Sequence, residues 1–81
     1  MTTNFISIKA YYGYSSKKET NFRFDLHKVH LYMDDELNEI KDNNGYIIQF
    51  WDSFNSSFSI YFKTVVERDH VLRVLDDRLG L

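Results

Sequence analysis

The chain has 81 residues, 43% hydrophobic and 17% aromatic, with a formal net charge of −2. This length allows one domain, residues 1–81, and the ordinary apolar and charged fractions exclude a disordered chain. The sequence contains no cysteine, which excludes disulfides and thiol chemistry. Its start lacks a basic leader region, and no apolar run reaches the roughly 20 residues that span a bilayer. These features predict a cytoplasmic protein with no membrane partner.

The first two strands are predicted as a hairpin. Apolar and polar residues alternate over Phe5–Tyr12, and a polar connection from Gly13 to Thr20 follows. A second strand begins near Asn21 and places Phe22 and Phe24 on one side. At His27 the alternation slips by one residue, which indicates a bulge or the end of the strand.

A short helix is predicted between strands 2 and 3. Asp34–Asp42 has Leu37 and Ile40 at helical spacing, with acidic residues in its first turn, where they suit the helix dipole. Asn43 to Gly45 would stop it. The run is acidic, whereas residues 1–33 have five basic and two acidic side chains, +3, against five basic and ten acidic, −5, in residues 34–81. This acidity indicates either a solvated helix face or a patch that steers a basic partner.

The remaining elements are two strands and a helix. Tyr46–Trp51 and Phe58–Lys63 are rich in aromatic and β-branched residues, and a loop joins them as a second hairpin. Thr64 followed by Glu67 is a capping-box pattern that begins the last helix. The predicted fold is α+β: a four-stranded antiparallel sheet of two hairpins, with the C-terminal helix packed on one face and the short helix between strands 2 and 3.

This fold assigns large side chains to both faces of the sheet. The phase containing Phe24, Phe50 and Phe62 would pack on the last helix and form the core. The other phase would face away, and Tyr, Trp and Arg often dominate interface energies. Alternatively, these side chains cover one another as cross-strand pairs. The candidate partner-binding residues are Tyr11, Arg23, Ile47, Trp51 and Tyr61 on the second face, with Asp35, Glu36 and Glu39 in the acidic segment.

Catalytic and metal sites are not expected. His27 and His30 would point to opposite faces of a strand, and no further ligand has a motif position. The three glycines form no phosphate-binding loop, and no serine has a paired base. We therefore predict a non-enzymatic protein without cofactor or metal.

The leading hypothesis is a small protein-binding module that occludes a site on a larger protein. In size and style, though not in motifs, it is comparable to inhibitors encoded by phages and mobile elements, including anti-CRISPR proteins. Homodimerisation through the second face or an open strand edge is a further possibility. The alternative is a binder of single-stranded nucleic acid that stacks bases on Tyr11, Trp51 and Tyr61, with Lys9, Arg23 and Lys63 on phosphates. The overall acidity makes nucleic acid the weaker expectation.

Overall fold

The computed structural model describes residues 4–37 and 43–80, which form an α+β fold. Within these residues there are five strands and one α-helix. The elements are β1 (Phe5–Ala10), β2 (Thr20–Asp25), β3 (Leu31–Glu36), β4 (Tyr46–Trp51), β5 (Ser57–Phe62) and α1 (Val65–Leu79). A single 3-10 turn, Leu26–Lys28, follows β2.

The strands form two antiparallel sheets. β1 and β2 make a two-stranded hairpin, while β3, β4 and β5 form a three-stranded sheet with β4 in the centre. One backbone bridge joins the two sheets in the described part of the chain, where Tyr11 exchanges two hydrogen bonds with Tyr61, at N···O distances of 2.8 and 3.0 Å. The prediction of one four-stranded sheet is therefore wrong, although both predicted hairpins form.

The error lies in the acidic segment. Asp34, Asp35 and Glu36 belong to β3, an edge strand paired along its length with β4, rather than to a helix. Charged residues are common on edge strands because they discourage pairing with other chains. Pairing with the aromatic β4 thus overrides the helical spacing of Leu37 and Ile40. Residues 38–42 of the predicted helix lie outside the described residues.

The C-terminal helix follows the sequence closely. The hydroxyl oxygen of Thr64 accepts a hydrogen bond from the backbone N–H of Glu67 at 3.2 Å, as the capping-box pattern predicts. Gly80 ends α1 in a left-handed conformation, with φ of 76°, which glycine adopts without a steric cost. No helix within residues 4–37 and 43–80 has the length and apolar character needed to cross a membrane.

The core lies against the inner face of the three-stranded sheet, defined as the side that carries Ile48, Phe50 and Ile60. These three side chains are fully buried, as are Phe62 on β5 and Leu75 on α1. They belong to the phase that the sequence assigns to the core. Helix α1 therefore covers part of this face, as expected.

The hairpin covers the inner face as well. Ile8, Ala10 and Leu26 join the same buried cluster, and Phe24 packs edge-on against Phe50 with ring centroids 5.0 Å apart. Phe50 also stacks on Phe58 at 4.8 Å. The β1–β2 hairpin and α1 thus cover the inner face together, whereas the sequence predicts that α1 covers it alone.

Candidate functional site

The outer face of the three-stranded sheet points away from this core. Residues paired directly across antiparallel strands project from the same side of a sheet, so the strand register defines the rows of this face. Three rows result: Leu31, Trp51 and Ser57; Met33, Gln49 and Ser59; and Asp35, Ile47 and Tyr61.

The outer face is closed at one end and open at the other. Ile47 is only 4% exposed, so it offers little surface to a partner. Met33 lies in the row next to Ile47 and Leu31 in the row after that, and each of these two side chains is 47% exposed. Trp51 lies directly opposite Leu31 and is half-buried. The open end is therefore an apolar surface formed by Leu31, Met33 and Trp51.

Tyr11 closes the other end. Its backbone bridge to Tyr61 carries the row of Asp35, Ile47 and Tyr61 on to a fourth strand segment. Tyr11 is 8% exposed, and the ammonium group of Lys63 lies 5.4 Å from the centre of its ring. This ring therefore presents little surface for stacking a base, whereas Trp51 and Tyr61 remain half-buried.

Arg23 lies apart from these aromatic residues. It is exposed on β2, opposite Ser7, and so belongs to the two-stranded sheet. The structure thus brings together Tyr11, Ile47 and Tyr61, and places Trp51 at the far end of β4. Arg23 does not join this row.

Phe54 extends the apolar character beyond the sheet. It lies in the β4–β5 turn and is 87% exposed. The carboxylate of Asp52 accepts hydrogen bonds from the backbone N–H groups of Phe54 and Ser56, both at 2.9 Å, and Asn55 is left-handed with φ of 65°. These bonds define the turn and present Phe54 to solvent three residues after Trp51.

The acidic strand is tied to the helix by one buried arginine. Arg68 on α1 is 7% exposed, and its Nη1 donates to the backbone carbonyl of Asp35 at 2.9 Å. Its Nε donates to Asp69 at 3.0 Å, while Nη2 lies 3.9 Å from Asp34. The guanidinium also lies over the ring of Tyr46, 5.6 Å from its centre. Buried arginine of this kind requires such partners.

The acidic side chains nevertheless reach solvent. Asp35 and Glu36 are exposed, with Asp35 on the outer face and Glu36 on the opposite phase of the edge strand. Glu39 lies outside the described residues. Of the predicted acidic residues, Asp35 alone among those described lies on the outer face, one row beyond Met33.

A second contact between β3 and α1 involves a perturbed ionisable group. The Tyr32 hydroxyl donates a hydrogen bond to a carboxylate oxygen of Asp76. Burial raises the pKa of Tyr32 to about 12, with the hydrogen bond to Asp76 and the negative charge of Asp76 adding to the effect. Burial and Asp76 thus favour the neutral phenol, whose hydrogen bond stabilises the contact between strand and helix.

The histidines do not form a metal centre with other ligands among residues 4–37 and 43–80, where no group of three or more suitable side chains converges. His27 lies in the 3-10 turn, with Nδ1 3.4 Å from the side-chain nitrogen of Asn4. His30 precedes β3 and is exposed.

Sequence reasoning missed Leu31, Met33 and Phe54 as surface residues. The alternation of Leu31 and Met33 indicates a strand, but the prediction of a helix over Asp34–Asp42 ends that strand before the acidic residues. Phe54 stands between Ser53 and Asn55 in a loop, a position at which a large apolar residue has no strand neighbours to cover it. The contacts of Arg68 with Asp34 and Asp35 could not be predicted either, because these two residues belong to a strand that the spacing did not predict.

Comparison of the chain with family models, curated proteins and solved structures gave no match.

Proposed function

We propose that this chain is a non-enzymatic protein-binding module, and that the open apolar end of the outer face is its contact surface. A small inhibitor or adaptor that occludes a site on a larger protein would act in this way. The observation that carries the proposal is the exposure of Leu31 and Met33 beside Trp51.

The composition of this surface supports a protein partner. Tryptophan is among the residues that most often anchor interfaces, and methionine adapts its shape to different surfaces. Phe54 adds a large apolar side chain at the adjacent turn. Clustered apolar exposure of this kind is typical of interaction sites.

The charge at the border of the surface indicates the character of the partner. Asp35 is exposed on the same face of β3 as Met33, two residues further along the strand, so a partner with a basic residue next to an apolar pocket would match this surface. Complementary charge of this type increases association rates and selectivity.

The test uses the purified protein as bait in extracts of its source cells. The double variant Leu31→Gln and Met33→Gln removes the apolar surface, and Val66→Gln is the matched control because Val66 is 74% exposed on α1. Both variants should keep the wild-type melting temperature, since exposed substitutions change stability little. Affinity of the captured protein for the double variant should fall about thirtyfold, or ~2 kcal/mol, with the control unchanged.

Two results would contradict the proposal. Capture of no specific protein by the folded wild-type chain would argue against a binding module. Capture that the double variant leaves unchanged would place the contact on a different surface, with charge reversal at Asp35 and Glu36 as the next variants.

A further inference from the structure

A groove separates β1 from α1, and none of its lining residues belongs to the three rows of the outer face. Its volume is about 350 Å³, which is within the range of ligand-binding sites. The apolar lining comes from both walls, with Ile6 and Ile8 on β1 and Val71 and Val74 on α1.

The strand wall of this groove carries backbone groups that point away from β2. In an antiparallel pair, hydrogen-bonded and non-hydrogen-bonded positions alternate. The backbone carbonyl of Asn4 accepts a hydrogen bond from the N–H of Leu26 at 2.8 Å, on the β2 side. The backbone N–H and C=O of Tyr11 bond to Tyr61 on the opposite side. The even-numbered residues of β1 therefore pair with β2, and the N–H and C=O groups of Ser7 and Lys9 point towards the groove.

The groove is the place where the next strand of the sheet would lie. Continuing the register of Tyr11 and Tyr61 would set Lys63 opposite Lys9 and residue 65 opposite Ser7. Instead, β5 ends at Phe62, and Val65 begins α1. Among the described residues, Tyr11 makes the only bridge between the β1 side and β5, so the edge is left open beyond it.

We propose that this edge binds an extended segment of a partner protein, which adds a strand to β1 within the groove. Extended backbone supplies donors and acceptors at the spacing of Ser7 and Lys9, about 7 Å for two residues of a strand. Alternate side chains of the segment contact the apolar lining, and the others face solvent.

The walls of the groove favour a single strand over a second copy of this chain. Helix α1 forms the wall opposite β1. Another copy that pairs through its own β1 brings its own α1 towards the same space, whereas a lone segment does not. Lysine at an open edge, here Lys9, also discourages pairing between whole sheets.

Proline substitution tests the edge directly. In Ser7→Pro the lost N–H is one that points into the groove, so the β1–β2 ladder keeps its hydrogen bonds. Asn21→Pro is the matched control, because Asn21 lies opposite Lys9 in the same hairpin and its N–H points to the other edge. Both positions are exposed, and both variants should keep the wild-type melting behaviour.

The probe is a displayed library of short random peptides, selected on the immobilised wild-type protein. Recovered peptides should alternate apolar residues and bind Asn21→Pro as they bind the wild type. Their affinity for Ser7→Pro should fall by about tenfold or more, because a buried acceptor of the peptide loses its donor. Amide hydrogen exchange of the wild-type complex should slow at Ser7 and Lys9.

The proposal is overturned by failure to enrich any peptide, by equal affinity for the two proline variants, or by slowed exchange only at β3 and β4. A wild-type dimer that Ser7→Pro dissociates would assign the edge to a second copy and overturn it too. If Ser7→Pro fails to fold, Val74→Arg, which fills the groove from α1, replaces it. These outcomes are independent of the outer-face variants, so the two proposals can fail separately.

Discussion

Tyr32 and Asp76 connect the edge strand β3 to α1 through one hydrogen bond between their side chains. The neutral phenol donates this bond, and its pKa is raised from 10.0 to about 12 in the fold. A group with a raised pKa binds its proton more tightly in the folded state than in the unfolded state. Its contribution to stability is therefore complete below pH 10 and is lost as the pH rises from 10 to about 12.

We expect the melting temperature of the wild-type protein to fall more steeply between pH 10 and 12 than that of Tyr32→Phe. Phenylalanine keeps the ring but cannot titrate, so the difference between the two curves isolates this phenol from the other tyrosines and the lysines. Calorimetry across this range measures it. Parallel curves would show that the fold does not perturb Tyr32.

At the same scale, strand alternation predicts the core phase, but it does not predict that Ile47 and Tyr11 of the opposite phase are buried as well. Phe50 and Phe62 are predicted in the core because strand alternation fixes which side chains share a face, and both are fully buried. The exposure of Leu31 and Met33 depends instead on which strand pairs with β4 and on what lies above it. Such nonlocal information is absent from the local pattern.

Among the elements, α1 has the N-terminus that the sequence predicts most clearly. Thr64 accepts the Glu67 backbone N–H, and its hydroxyl donates to the Glu67 carboxylate at 2.9 Å. Thr64 thus satisfies the backbone N–H of Glu67, which has no partner within the helix, and the Glu67 carboxylate holds the Thr64 hydroxyl in place.

Replacing Thr64 with alanine should lower the free energy of unfolding by about 1 kcal/mol. Thr64→Ser keeps the capping oxygen and should retain most of this stability, which separates the hydrogen bond from the loss of bulk. Urea titrations of the three proteins give the comparison. A serine variant as unstable as the alanine variant would mean that the methyl group, not the cap, stabilises this end.

The contrast with β3 explains the main error in the sequence prediction. The signals for α1 are local, a cap, helical spacing and a terminal glycine, and they agree with one another. Asp34, Asp35 and Glu36 have weak strand preference, and they become a strand because β4 supplies a partner and Arg68 supplies a donor to Asp35. Neither contact can be read from the segment itself.

At the scale of the whole molecule, one sheet face is covered by two separate elements. Leu75 contributes from α1, and Ile8 and Ala10 contribute from β1, all in one buried cluster. The hairpin has a single backbone bridge to the three-stranded sheet in the described part of the chain. Side-chain packing must therefore be the main link between the two sheets, and it leaves both the open end of the outer face and the β1–α1 groove uncovered.

This arrangement predicts cooperative unfolding of both sheets. Ile8→Ala removes buried volume from the hairpin side and should cost about 2–5 kcal/mol, a large share of the stability of a domain of this size. If the shared core couples the sheets, the variant should lower the unfolding midpoint equally by far-ultraviolet circular dichroism and by fluorescence of Trp51, the one tryptophan, which lies in the other sheet. Lys9→Ala, the neighbouring exposed position, should leave both midpoints in place. A Trp51 transition that stays at the wild-type midpoint while the dichroism signal falls early would show that the hairpin unfolds on its own, and that the three-stranded sheet and α1 suffice for the remaining core.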